Sequence, residues 1–387
     1  MKKKRNTKYK IENSFFSLCK KTEQEKIISA IVFYGGKNKE NLRNKLREHE
    51  CEITHEIDLI DAYCVNMKNS ELESLASEDI VMYITADNDI KTCLDLATKT
   101  IHAPTKYTGK NIGVAVIDTG VYPHSDLTYE GNKIVKFVDF VSDKNSPYDD
   151  NGHGTHVTGI ISSSGHSSKG QYRGVAPDAN IIALKVISGN GEGTTSNILE
   201  AFEWINKNKE KYNIRIASIS LGGSASTTAR YDPLVRASEK LWDNGVVVVA
   251  AAGNSGSNQR TINTPAISKK IITVGASDDR STIGRNDDKI APFSSRGPTM
   301  QNIRKPDLVA PGVDIISLGT SPNSYVKMSG TSMSTPIISG CCAMLLEKYP
   351  SLTPNEVKMR LMKSSTTLNE SKYAEGKGLI DLDLLLG

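Results

Sequence analysis

Short apolar runs bounded by glycine or proline recur from residue 111 onward and alternate with stretches of amphipathic helical spacing. Continuous Val- and Ile-rich runs are typical of strands buried on both faces, and their alternation with helices predicts a parallel sheet covered on both sides. The runs are IGVAVID (112–118), NIIALKV (180–186), IASISLG (216–222), VVVVAAAG (246–253) and KIITVGA (270–276), and the helical stretches are 196–209 and 232–244. The pattern predicts a doubly wound α/β domain.

The first quarter of the chain has a different pattern, which predicts two similar halves, each with a strand, a helix and a second strand. The predicted elements are strands at 27–34 and 80–85, helices at 38–48 and 70–77, and a hairpin-like stretch at 52–66. This order predicts a small β-α-β-β-α-β module. A polar stretch with little apolar periodicity follows and indicates a linker. We therefore divide the chain into a basic tail over 1–27, a small α+β domain over 28–95 and an α/β domain over 96–387.

Charge and cysteine usage narrow the classes of function. The 48 Lys and Arg against 44 Asp and Glu leave a net charge of +4, too small to indicate a nucleic-acid partner. No apolar stretch follows the basic start, so no signal peptide is predicted, and no run reaches the ~18 residues of a membrane span. The six cysteines form no CxxC pair and are expected to be reduced core thiols, although their even number leaves disulfides open. We expect a cytoplasmic protein.

Three segments carry candidate chemistry. Asp118 ends the apolar run in VAVIDTGV, His153 and His156 lie in NGHGTHVTG, and Ser332 opens an apolar helix in MSGTSMSTP. Taken singly, these residues could be helix caps or ordinary hydrogen-bonding groups. Two histidines three residues apart could also bind a metal, but no glutamate stands between them and no third ligand is evident, so zinc is disfavoured.

Together and in this order, the three segments resemble the signatures of the subtilisin family, the subtilases, whose triad follows the chain order Asp, His, Ser. AAAGN at 250–254 resembles the oxyanion motif of that family, and SLGG at 220–223 resembles its substrate-binding strand. The resemblance covers residues from about 100 to 387. It implies a subtilisin-like fold and serine endopeptidase activity.

The resemblance assigns roles to residues. Asp118 would orient His153, and His153 would take the proton of the Ser332 hydroxyl and return it to the leaving amine. Serine needs such a base because its hydroxyl is a weak nucleophile, and imidazole can accept and donate a proton near neutral pH. Asn254 and the Ser332 N–H would form the oxyanion hole. His156 is expected to bond internally, and the chemistry requires no cofactor.

Exposed backbone indicates how a peptide is recognised. An extended substrate would bind as an added strand between two segments, one formed by Gly191, Glu192 and Gly193 and the other by Ser220, Leu221 and Gly222. Such binding favours broad specificity. The S1 pocket is expected to be lined by Ala251, Ala252 and Gly253. Ser255 brings no carboxylate to it, so an apolar P1 residue is expected, while Glu192 at the rim would mildly favour a basic residue farther upstream.

Structural calcium is possible, but the metal site stays open. The segment SSSGHSSKGQYRG at 162–174 lacks carboxylates, so the calcium loop that many subtilases carry there is expected to be lost. Asp139, Asp143, Asp149 and Asp150 resemble an acidic calcium loop of some relatives, and a solvated acidic loop is equally compatible with them.

The module at 28–95 resembles the family's propeptide, a chaperone and inhibitor of the mature enzyme. The expected partners are protein and peptide substrates and the chain's own propeptide, with no nucleic acid or membrane. The combination resembles the intracellular subtilases of Gram-positive bacteria. Two alternatives stay open: a processing protease with one dedicated substrate, and a regulatory pseudoprotease, which the intact triad and Asn254 disfavour.

Overall fold

The computed structural model describes residues 10–35, 38–57, 61–86, 100–101, 106–129, 131–223, 229–280 and 282–387. The chain divides into two compact units, 1–90 and 91–387, each with its own hydrophobic core. Among the described residues, no helix combines the length and apolarity that a membrane span requires. The five described cysteines are buried free thiols, and Cys93 lies outside the described residues.

The small unit is a four-stranded antiparallel sheet with strand order β2-β3-β1-β4 and helices between the strands. Its elements are α1 (Asn13–Cys19), β1 (Ile27–Tyr34), α2 (Lys39–Glu48), β2 (Glu52–Ile57), β3 (Ala62–Lys68), α3 (Leu72–Ser77) and β4 (Val81–Ala86). Ala30, Val32 and Tyr34 alternate with more exposed residues along β1, so one face of the sheet meets the helices. The predicted α+β module is confirmed.

The basic tail expected over 1–27 is too long. Ile11, Phe15 and Cys19 are buried in the core of the small unit, and α1 belongs to that unit. These three side chains follow one another at intervals of four, which is the spacing of one helix face. The stripe is only two turns long and polar residues interrupt it, so the periodicity of the sequence did not reveal it.

The large unit is built on a mainly parallel sheet with strand order β15-β16-β12-β10-β9-β8-β5-β7-β6, with β11 beside β10. The strands are β5 (Gly113–Asp118), β6 (Ile134–Asp139), β7 (Asn180–Lys185), β8 (Ile214–Ile219), β9 (Val247–Ala251), β10 (Ile272–Asp278), β11 (Lys289–Ile290), β12 (Leu308–Pro311), β13 (Ile315–Leu318), β14 (Tyr325–Met328), β15 (Ser365–Thr366) and β16 (Leu379–Ile380). Strands β13 and β14 form a separate hairpin. The predicted α/β fold is confirmed.

Helices cover the sheet. They are α4 (Ser125–Thr128), α5 (His153–Ser162), α6 (Thr195–Asn208), α7 (Pro233–Asp243), α8 (Thr331–Lys348), α9 (Pro354–Lys363) and α10 (Leu382–Leu386). Helices α5 and α8 pack against each other and on β5, and α6 and α7 form a second packed pair. Every residue from Met333 to Leu346 in α8 is buried, which explains why this helix is apolar all round rather than amphipathic.

The strand order places the candidate site. After β5 the chain builds β6 and β7 on one side of that strand and then crosses to build β8, β9 and β10 on its other side. Strand β5 therefore lies at the point where the strand order reverses, where doubly wound sheets open a crevice beyond the carboxyl ends of their strands. Asp118 is the last residue of β5.

Candidate active site

A cleft of about 880 Å³ opens beyond the carboxyl ends of β5, β8 and β9. The sequence-predicted residues that line it are Asp118, Gly191, Gly193, His153, Ser220, Leu221, Gly222, Ala251, Gly253, Asn254 and Ser332. The fold therefore brings together side chains from segments more than two hundred residues apart in the sequence.

Two of the predicted substrate-binding residues do not line the cleft. Ala252 is fully buried, because side chains alternate along extended chain and its neighbours Ala251 and Gly253 face the cleft instead. The expectation that Ala252 lines the S1 pocket is therefore wrong. Glu192 is exposed on the turn between two lining glycines, outside the cleft wall.

The carboxylate of Asp118 holds the imidazole of His153. Oδ1 of Asp118 lies 2.7 Å from Nδ1 of His153 and also accepts the backbone N–H of Thr119 at 2.8 Å. Asp118 is almost fully buried, whereas His153 is about a quarter exposed to the cleft. Burial alone would lower the pKa of His153, but the charge of Asp118, its hydrogen bond and the charge of Asp149 together raise that pKa. The arrangement favours a protonated Nδ1 and leaves Nε2 as the basic atom.

Ser332 is the second residue of α8, in the first turn, where backbone N–H groups have no partner within the helix. Its hydroxyl donates to the carbonyl oxygen of Ser220 at 2.9 Å, and the Ser220 hydroxyl donates to the Ser332 carbonyl at 3.0 Å. Within the described part of the chain, no hydrogen bond joins Ser332 to His153. Catalytic hydrogen bonds often form only in the substrate complex, and here the serine hydroxyl must turn away from Ser220 to meet the imidazole.

Asn254 is oriented by the residue that begins α8. Its Oδ1 accepts the backbone N–H and the hydroxyl of Thr331, at 3.0 and 3.1 Å. A backbone N–H can only donate, so the oxygen must face Thr331 and the amide NH₂ must point the other way. Asn254 is exposed and lines the cleft, so its two amide protons are available to a ligand.

Asp149 is a buried residue whose part in the site the sequence did not reveal. Its Oδ1 accepts from Thr119 Oγ1, Asn151 N and Gly152 N at 2.9–3.1 Å, and its Oδ2 accepts from the backbone and the hydroxyl of Thr155 at 2.9 and 2.7 Å. Burial opposes ionisation, but these donors outweigh it and lower the pKa of Asp149. One charged group therefore fixes the turn on both sides of His153.

Lys185 supports the same region from behind. Its side chain is fully buried at the end of β7, and its Nζ donates to the carbonyl oxygens of Thr119 and Ile187 at 2.6 and 2.8 Å and to Oδ1 of Asp150 at 2.7 Å. The ammonium thus ties the residue after Asp118 to the loop that leads to the histidine. A lysine within an apolar run gave no sign of this role.

His156 is not a second base. It is fully buried, and its Nε2 lies 3.0 and 3.1 Å from the carbonyl oxygens of Ile315 and Val326, so Nε2 carries the proton. Burial lowers its pKa to about 4, which keeps the ring neutral. The expectation that this histidine bonds internally is confirmed.

The acidic loop before His153 does not fit a calcium site. Both oxygens of Asp139 accept hydrogen bonds from the protein, from the backbone N–H groups of Val141, Ser142 and Lys144 and from the Tyr148 hydroxyl. Asp149 is saturated by its five donors, and Asp150 binds Lys185. Within the described ranges, no group of three or more His, Cys, Asp or Glu side chains is arranged to hold a metal ion.

Comparison with known proteins decides the family. The model of the subtilase family matches residues 109–378, which is most of the chain. The chain belongs to the subtilase family. This subtilase is 46% identical over 349 residues to the serine protease AprX of Bacillus subtilis, covering 83% of the chain and 77% of that relative. It is 39% identical over 280 residues to subtilisin DY of Bacillus licheniformis, covering 72% and 91%. The chain is accordingly a serine endopeptidase.

Solved structures agree with the subtilase fold. Sphericase matches with a TM-score of 0.63 and 30% identity, over 74% of this chain and 97% of sphericase. The S41 psychrophilic protease matches with a TM-score of 0.64 and 29% identity over the same shares. These likenesses confirm the subtilisin-like architecture expected from the motifs.

Proposed function

We propose that Asp118, His153 and Ser332 are the catalytic triad of this endopeptidase. The observation that carries the proposal is the 2.7 Å contact between Asp118 and His153 in the cleft that Ser332 also lines. Nε2 of His153 removes the hydroxyl proton as Ser332 Oγ attacks the scissile carbonyl carbon. The imidazolium then gives that proton to the leaving amine, and a water repeats the sequence to release the acyl group.

Asn254 and the backbone N–H of Ser332 stabilise the oxyanion. The attack turns the carbonyl oxygen of the substrate into an anion, which needs donors that are already in place. Thr331 holds the Asn254 amide with its NH₂ group toward the cleft, so the donor requires no reorganisation during the reaction. The N–H of Ser332 adds a second donor at the positive end of α8.

The substrate peptide binds as an extended strand between 191–193 and 220–222. Within the described residues, the backbone groups of Leu221 and Gly222 make no hydrogen bonds, so they are free to pair with a peptide. Because such pairing reads main chain, we expect broad specificity. A single dedicated substrate is the alternative, and no contact in the cleft favours it.

An apolar P1 residue is favoured because Ser255, which follows Asn254 in the cleft wall, brings no carboxylate to the pocket. Asp118 is bound to His153, and Asp232 caps α7 by accepting from the N–H groups of Leu234 and Val235. Profiling a peptide library should give higher kcat/KM for Leu, Phe, Tyr or Met at P1 than for Lys or Arg. A clear preference for Arg would contradict this placement of the pocket.

Residues up to about 95 act as a propeptide that the enzyme removes from itself. The proposed cleavage segment, 86–95, lies almost wholly outside the described residues. Its support is the small α+β unit that precedes the peptidase unit in the chain. A tethered segment acts at an effective concentration on the order of mM, so the first cut should not depend on protein concentration.

One experiment tests the proposed triad and the proposed self-processing independently of each other. A fluorophosphonate should label Ser332 and abolish hydrolysis, while a zinc chelator should leave hydrolysis intact. The native chain should yield a fragment whose N-terminus lies between Asn88 and Thr100, and the Ser332→Ala chain should keep its full length. Labelling at another residue contradicts the triad, whereas cleavage of Ser332→Ala in a host lacking the native enzyme contradicts self-processing alone.

A further inference from the structure

One wall of the cleft is formed by a segment that no sequence motif marked. The backbone N–H of Asn263 donates to the carbonyl oxygen of Ala252 at 2.9 Å, and the backbone N–H of Thr264 donates to the carbonyl oxygen of Gly223 at 3.0 Å. Asn263 and Thr264 both line the cleft. These two residues therefore join the AAAGN and SLGG segments and close the space between them, which is the proposed S1 pocket.

The side chain of Asn263 lies against two glycines of that pocket. A Cβ added to Gly253 would lie 2.8 Å from both Cγ and Nδ2 of Asn263, and a Cβ added to Gly222 would lie 3.3 Å from the Cβ of Asn263. Since these distances are shorter than ordinary contacts, the two glycines leave the room that the carboxamide occupies. Gly253 directly precedes Asn254, so the pocket adjoins the carbonyl group that is attacked. The side chain that enters the pocket is therefore that of P1.

The carboxamide is the one polar group of Asn263 that the protein does not use. The backbone N–H is bound to Ala252, and the backbone carbonyl oxygen accepts from the N–H of Ile267 at 3.1 Å. By contrast, no described residue forms a hydrogen bond with the side-chain amide, which is only partly exposed. A substrate side chain that fills the pocket displaces water from this amide, and an amide left unpaired in an enclosed site is unfavourable. A P1 side chain that offers a hydrogen bond avoids that cost.

We propose that Asn263 determines specificity at P1 by hydrogen-bonding the polar tip of an otherwise apolar side chain. This inference rests on the proposed function, because it takes the triad and the S1 pocket from there and defines the substrate class more narrowly. An amide carries donors and an acceptor, so it can pair with the hydroxyl of a P1 Tyr or the carboxamide of a P1 Gln. It carries no charge, so it adds no ion pair for Lys or Arg.

The test measures kcat/KM for peptides that differ only at P1, as the pairs Tyr and Phe, Gln and Met, and Lys and Met. The parent is compared with Asn263→Leu, which keeps the shape of the side chain without its hydrogen-bonding groups, and with Asn263→Asp. Asn258→Asp is the matched control, because Asn258 is exposed in the same loop and does not line the cleft. The ratio of two substrates within one preparation does not depend on the fraction of active enzyme, so a poorly folding variant is still informative.

We expect Asn263→Leu to lower the Tyr/Phe ratio, the Gln/Met ratio or both by about three- to tenfold, the contribution of one neutral hydrogen bond. Asn263→Asp should raise the Lys/Met ratio by about ten- to a hundredfold, because a carboxylate in the pocket pairs with the ammonium group. Asn258→Asp should change none of the ratios.

The proposal is wrong if Asn263→Leu leaves both the Tyr/Phe and the Gln/Met ratio unchanged, even where Asn263→Asp attracts Lys. It is also wrong if Asn263→Asp gives no gain for Lys, or if Asn258→Asp gives the same gain, since Asn263 would then lie outside the pocket or act only through net charge. A parent in which a fluorophosphonate does not label Ser332 contradicts the proposed triad instead, so the two failures are distinguishable.

Discussion

Replacing Asp149 by asparagine should lower the stability of this subtilase, reduce its turnover and shift the pH dependence of its activity. The three donors on Oδ1 keep the amide oxygen on their side, so the new NH₂ group must face the backbone N–H of Thr155. One charge-assisted bond is lost, at about 1.5–3 kcal/mol, and a buried donor is left unsatisfied, at about 1–3 kcal/mol. We expect a loss of about 3–5 kcal/mol in the free energy of unfolding.

The same change should lower kcat more than it changes KM. The donors that Asp149 gathers belong to residues on both sides of His153, so relaxing the turn displaces the imidazole from Ser332. A misplacement of about 1 Å can cost about a hundredfold in rate, and we expect a fall in kcat of that order. The cleft wall contributed by Ser220 and Gly222 is untouched, so substrate binding should change little.

The pH profile gives a third readout with a defined sign. Because the charge of Asp149 helps to raise the pKa of His153, its removal should lower that pKa. His153 acts as a base only when it is neutral, so kcat/KM falls on the acid side of the pKa of His153. In the parent this acid limb should lie above the usual imidazole pKa. In Asp149→Asn it should move to lower pH.

Stability is measured by chemical unfolding in the Ser332→Ala background, and kinetics are measured with the serine present. Asp143→Asn is the matched control, since Asp143 is exposed in the same acidic loop and has a positive φ of 55°, a conformation that asparagine tolerates. An Asp149→Asn enzyme with the unfolding midpoint and acid limb of this control would refute the role given to the network.

Three further predictions follow from the site and the core. Asn254→Ala should lower kcat by about 10²–10³ with KM little changed, the range known for the corresponding donor of subtilisin itself, and an unchanged kcat would exclude Asn254 from the oxyanion hole. Gly154→Ala would place a Cβ 2.2 Å from the carbonyl oxygen of Gly120, so thermal unfolding should show a loss of about 1–3 kcal/mol, and no loss would contradict this packing. Burial raises the pKa of Cys341 and Cys342, so dithionitrobenzoate should react with them only after denaturation, and rapid reaction in the native enzyme would show that α8 opens.

The residues of the cleft could be predicted from the sequence because their surroundings are local. Asp118 ends a buried strand and Ser332 lies at the start of a buried helix, and the apolar runs that form these elements can be recognised in the sequence. The order of the motifs then supplied the resemblance. Ala252 shows the limit of this reasoning, because a motif names a segment while the alternation of side chains decides which of its residues face the substrate.

Interactions that depend on tertiary contacts could not be predicted. The five donors around Asp149 are the hydroxyls of Thr119 and Thr155 and three backbone N–H groups of the turn around His153, and no sequence motif indicates that these groups converge on one carboxylate. Lys185 appears in an apolar run as a single charge, and nothing nearby in sequence indicates the carbonyl oxygens it binds. The helix α1 was missed because its apolar stripe spans only two turns.

The aspartates of the large unit show why carboxylates alone do not identify a metal site. The acidic loop at 139–150 resembles a calcium loop, yet Asp139 and Asp149 are surrounded by N–H and O–H donors that replace a cation. The availability of donors, more than the number of acidic residues, thus decides whether an acidic loop is open to a cation.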